Sequence, residues 1–109
     1  MIVQRDELFS LMGLDDAFAS GTVRMLETPD GRRRATLRWD DDEITADVSD
    51  AIEGESGDTL VTIAGTYLAD EDSFEVTAED LRHEASDPRD PRGVASAFHF
   101  LTRGMEVVA

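Results

Sequence analysis

His83 and His99 are the only imidazoles in 109 residues, and they fall in different segments. An imidazole does acid–base work when a second group holds it against the proton it moves. No His-Glu-x-x-His pattern joins these two. His83 reads as an exposed helical residue. His99 lies between Phe98 and Phe100 and is expected on a wet side or at an interface. The runs Asp40-Asp41-Asp42-Glu43 and Asp70-Glu71-Asp72 offer oxygen ligands of the kind Ca²⁺ and Mg²⁺ take. They lack the spaced glycine and closing glutamate of a calcium loop and read as solvated turns, so no metal is assigned. With no cysteine, thiolate metal sites, iron–sulfur clusters and Cys nucleophiles are excluded. Phosphate-loop, dinucleotide and Gly-x-Ser-x-Gly signatures are absent. No catalytic residue and no cofactor is assigned, and the chain reads as a non-enzyme.

The arginines are the other chemical group. Arg24, Arg32, Arg33, Arg34 and Arg38 cluster in sequence, and a guanidinium suits polar contact with a carboxylate. These five are the candidate protein-interface residues. Their alternative is local pairing with Asp40, Asp41 or Asp42, which stabilises little. Residues 1–39 hold six acids and six arginines, whereas residues 40–109 hold nineteen acids and four arginines. The whole formal charge of −15 therefore sits in the last two thirds. Such a charge opposes binding to anionic membranes and direct sequence-specific reading of nucleic acid. Asymmetry of sign is an interaction clue; the competing reading is that one segment has more surface facing water, and a salt-rich cell would explain the acidic excess itself.

Local patterns give the elements that carry these groups. Residues 5–19 read as a short helix or two joined turns, with Leu8, Leu11, Met12 and Phe18 on one face and a break at Gly13. Residues 22–39 read as a hairpin: Thr22–Glu27, a Pro29-Asp30-Gly31-Arg32 turn, and Arg34–Trp39. Period two puts Ala35, Leu37 and Trp39 on one face. Val23 and Met25 are expected to join them, and Arg24 to join Arg34 and Arg38 on a basic outer face. Residues 43–49 alternate as a strand. Glu53–Asp58 reads as a polar turn, and Thr59–Leu68 as a β stretch with a bulge or bend at Gly65. Phe74 and Val76 start another strand. A capped helical turn is predicted from Thr77 to Ala85. The loop Asp87-Pro88-Arg89-Asp90-Pro91-Arg92-Gly93 is expected to be extended and stiff. Val94, Ser96, Phe98 and Phe100 read as a strand over 94–101, and Met105–Val108 as a last one.

The length is that of a single domain, 1–109. It divides into an N-terminal helical segment (1–21), the arginine-bearing hairpin (22–39) and an acidic β-rich part (40–109) with a short helix near 78–85. The expected fold class is α+β, mainly β: an antiparallel curled sheet or small β barrel with a short N-terminal helix. No apolar run approaches the roughly 20 residues of a membrane span, and the first residues do not read as a signal peptide. Cytoplasmic location, or a particle assembled in the cytoplasm, is expected, and the acidic excess fits a high-salt host.

The Asp6-Glu7-Leu8-Phe9 helix start, the hairpin after it, and the stretch Gly57-Asp58-Thr59-Leu60-Val61-Thr62-Ile63-Ala64-Gly65-Thr66-Tyr67 resemble the small neck proteins that join head to tail in tailed viruses. That resemblance covers about half the chain, with Val61 intruding in the run and no counterpart for the Asp-Pro-Arg loop. It implies a small barrel whose copies form a ring around a DNA exit channel, touching connector and tail proteins, with no catalytic residues. The function expected is a non-enzymatic structural or adaptor protein of an ordered assembly, with protein partners that include copies of itself. Two alternatives stand beside it: an acidic DNA-mimic inhibitor of a nucleic-acid-binding protein, and a small regulatory binding domain.

Overall fold

The hairpin residues organise the rest of the molecule. In a computed structural model that describes residues 1–52, 55–82 and 90–108, β2 (Thr22–Glu27) and β3 (Arg33–Asp40) pair antiparallel. Their connection is built by side chains. The Thr28 hydroxyl donates to Asp30 at 2.7 Å, and the amides of Arg32 and Arg33 donate to Asp30 Oδ1 and Thr28 Oγ1. Gly31 takes φ 70°, the left-handed conformation that a Cβ disfavours. The Thr28 hydroxyl, and after it the Arg32 amide, hold the Asp30 carboxyl below the usual range. The turn pairs Glu27 with Arg34 and Thr22 with Trp39.

From β3 the chain continues as a meander through β4 (Glu43–Ile52), β5 (Glu55–Leu68) and β6 (Ser73–Asp80). Among the described residues, two short strands complete a seven-stranded sheet: β1 (Ile2–Gln4) adds to β6, and β7 (Glu106–Val107) adds to β2. The order is β1-β6-β5-β4-β3-β2-β7. The expected curled sheet or barrel is therefore wrong. A barrel needs its edge strands to pair, whereas β1 and β7 lie at opposite edges of an open sheet. The molecule is correspondingly flat, 43 × 33 × 19 Å.

One face of this sheet is sealed by α1 (Arg5–Met12) and α2 (Pro91–Thr102), which also pack on each other. Leu8, Phe9 and Met12 of α1 and Val94, Ala95, Phe98 and Leu101 of α2 are buried against Leu37, Ile44, Val48, Ile63, Phe74 and Val76. Aromatic rings gather at one end, where Phe74 meets Tyr67 at 5.1 Å, Trp39 at 5.2 Å and Phe9 at 6.1 Å between centroids. Arg5 locks the nearby turn. It pairs with both oxygens of Asp72, at 2.8 and 3.1 Å, and Tyr67 Oη donates to the same carboxylate at 2.7 Å.

α2 overturns the strand expected over 94–101. Asp90 caps the helix, accepting from the Gly93 amide, and Pro91 occupies its first turn. Burial at 91, 94, 95, 98 and 101 follows a period near 3.6, not two. Phe98 is buried and Phe100 is 66 % exposed, on opposite sides of the helix. Residues 77–80 likewise continue β6 instead of starting a helix: Val76 and Ala78 point into the core while Thr77 and Glu79 point out. The later part of that predicted helix, His83, and Asp87-Pro88-Arg89 lie outside the described residues.

Gly65 carries no bulge. It pairs in register with Ile44 and Val76, and the irregularity falls between Val48 and Ala51. A Cβ at Gly65 would stand 3.1 Å from Ile44 Cγ2 and 3.2 Å from the Glu75 carbonyl oxygen, so close packing is what this glycine serves. The polar turn expected over 53–58 is also shorter, since Glu55–Asp58 already belong to β5.

Candidate protein interface

The register of the hairpin decides which arginines stand together. Directly opposed residues of an antiparallel pair share a face. Arg24 opposes Leu37 and Leu26 opposes Ala35, so Arg24 points to the helix side. Val23 opposes Arg38, Met25 opposes Thr36 and Glu27 opposes Arg34, and all six lie on the open face. The expected sorting of β2 is thus reversed: Val23 and Met25 are exposed at 54 % and 39 % beside the arginines, and Arg24 is not.

The five arginines occupy three places. Arg34 and Arg38 share the open face; Arg34 Nε donates to Glu27 at 2.6 Å, and Arg38 pairs with Asp40 at 3.1 Å. Arg32 is exposed at the turn, 4.0 Å from Asp30, and Arg33 has the helix-side parity of Ala35 and pairs with Asp50 at 3.5 Å. Arg24 lies over the Phe18 ring, 5.5 Å from its centroid, and reaches Asp15 at 3.5 Å. Local pairing is therefore real for all five, but with Asp15, Glu27, Asp30 and Asp50 as well as Asp40. Neither Asp41 nor Asp42 is among these partners.

Rows of residues cross the open face from β2 to β6. One runs Met25, Thr36, Asp47, Thr62, Glu79; the next runs Val23, Arg38, Thr45, Ala64, Thr77. A third runs Asp40, Glu43, Thr66, Glu75 and ends on Ile2 of β1, which is 52 % exposed. The middle is built from threonine methyls and hydroxyls, with apolar side chains toward both edges. Asp47 sits in that middle, and partial burial pushes its carboxyl above the usual range. Such a surface offers hydrogen bonds, short side chains and charges of both signs. Among the described residues, it carries no histidine.

His99 is exposed on α2, with its ring against Gly13. Gly13 caps α1 in the left-handed conformation, φ 76°, and a Cβ there would come within 2.5 Å of His99 Cδ2. Among the described residues, no group of three or more Asp, Glu or His side chains is placed to hold a metal ion, and no helix is long and apolar enough to cross a membrane.

Sequence reasoning missed Val23 and Met25 as surface residues. The available signal was the turn: with Glu27 opposite Arg34, odd positions of β2 meet even positions of β3, which reverses the assumed faces.

Compared with models of known protein families, with curated proteins and with solved structures, the chain matches none. The likeness to viral neck proteins implied a closed barrel. An open sheet lacks that closure, and with no matching family or structure the assignments to virion assembly, head-to-tail joining and a salt-adapted class are withdrawn.

Proposed function

We propose that this chain is a non-enzymatic protein-binding domain, structural or adaptor in role, which docks through the open face of its sheet. The observation that carries this reading is the asymmetry of the sheet. Among the described residues, two helices seal one face and no element covers the other, where Ile2, Val23 and Met25 are exposed around a threonine-rich centre.

The partner we place first is a second copy of the chain. A two-fold axis lying along the strands between β4 and β5 sets β3 of one copy over β6 of the other. Arg38 then stands above Thr77 of the second copy, between its Glu75 and Glu79, and the arrangement repeats by symmetry. Thr45, Ala64 and Thr62 are short enough at the centre for two sheets to approach to about 10 Å. The DNA-mimic alternative is disfavoured by Arg34 and Arg38, which interrupt any line of carboxylates on this face.

Two chains of charge −15 repel at long range, and salt screens that repulsion over a Debye length of about 10 Å at 0.1 M. Association should therefore strengthen with salt. Light scattering at about 20 mM and about 1 M salt tests this: dimer mass is expected at the higher salt, and Arg34→Glu with Arg38→Glu should return it to monomer. A monomer at every salt and concentration would overturn the self-docking reading.

A further inference from the structure

We propose that a crevice on the helix side of the sheet, where α1 and α2 end against β2 and β7, binds a small amphipathic carboxylate. The cavity measures about 230 Å³. Leu26, Leu37 and Phe98 give it apolar walls, and the nitrogen-bearing residues Arg24, His99 and Arg103 also line it. Drug-sized pockets run from roughly 300 to 1,000 Å³, so this one takes a single short chain or one ring. Its composition is what a small ligand site needs: apolar walls and a few convergent polar groups.

The charge of the site runs against the charge of the molecule. In a chain with 25 acids, Arg24, His99 and Arg103 all line this one crevice. Helix C-termini attract cations, so the helix ends are the competing explanation for these residues. Yet several of the carbonyls at these two ends already have other donors. Phe9 and Ser10 accept from the amides of Gly13 and Leu14. Phe98 and His99 accept from the Thr102 hydroxyl, His99 also from the Arg103 amide, and Thr102 from the Met105 amide. Among the described residues, the side chains of His99 and Arg103 make no hydrogen bond or ion pair. Arg24 is the preorganised member, held over Phe18 with Asp15 at 3.5 Å. A ligand carboxylate would join Arg24 and Arg103, and its apolar part would rest on Leu26, Leu37 and Phe98.

The crevice lies across the sheet from the proposed docking face, so either proposal can fail alone. The probe is hexanoate, with uncharged hexanamide as its control, titrated into the full chain and followed by amide chemical shifts. Saturable shifts at Gly13, Leu26 and Arg103 are expected with hexanoate, with half-saturation near or below about 1 mM and at least roughly tenfold weaker binding of hexanamide. Arg103→Gln should weaken hexanoate several-fold. Val107→Trp, at an exposed position of β7 that lines the crevice, should block it while leaving the melting temperature in place. Equal binding of hexanoate and hexanamide, no effect of Arg103→Gln, or no saturable shift up to about 20 mM would each overturn the proposal.

Discussion

The two faces of the sheet are made by the same strands and differ in almost everything else. On the helix side, Ala35, Leu37, Ile44, Ala46, Val48, Val61, Ile63, Phe74 and Val76 are all buried. On the open side, Thr36, Thr45, Asp47, Thr62, Thr77 and Glu79 occupy the alternate positions of the same strands. Stability is concentrated on the first and available contact on the second. A sheet that had to be covered on both sides would carry near-continuous apolar strands, and these strands alternate instead.

Substitutions on either face break or sharpen that contrast. The largest effect is expected from Phe74→Ala, which empties the space between Phe9, Trp39 and Tyr67. It should cost about 3–5 kcal/mol in denaturant unfolding, whereas Thr62→Ala on the open face should stay within about 0.5 kcal/mol. Similar losses from both would mean that the open face is itself part of a core.

A smaller effect belongs to the latch at the aromatic end. The Arg5 guanidinium, and after it the Tyr67 hydroxyl, hold the Asp72 carboxyl below its ordinary range. That contribution is present above the ordinary aspartate value of about 3.9 and is lost as pH falls through the lower folded value. Asp72→Asn should therefore lower the melting temperature at neutral pH, by less than Phe74→Ala does. The gap between variant and wild type should close as pH drops through that window. A gap independent of pH would rule out the ionic latch.

The smallest effect is expected at Asp47, where the sign reverses. Partial burial raises its folded pKa, so the related stability is greatest below the unfolded value of about 3.9 and falls as pH rises through the folded one. Asp47→Asn should remove that loss and raise stability at neutral pH, within about 0.5 kcal/mol. A fall in stability there would show that the carboxylate has a favourable partner on the open face.

By itself, the sequence determined what depends on neighbours along the chain. Pro29-Asp30-Gly31 specifies its turn, period two specifies β3 and β4, and Gly13 ends α1, because each is a matter of local φ, ψ and side-chain spacing. The arginines of β3 were legible as a surface group for the same reason. Tertiary structure decided the rest. Residues 94–101 satisfy a two-residue pattern through Val94, Phe98 and Phe100. The packing surface of α1 and the sheet selects the helical period that buries Ala95 and Leu101 and leaves Phe100 in water. The face on which Arg24 lies depends on a register fixed across the turn. Whether the sheet closes depends on where β1 and β7 add, and each joins a strand remote in sequence, β1 on β6 and β7 on β2. Long-range pairing of that kind leaves no local signature, because its free energy comes from contacts that exist only after the meander has formed.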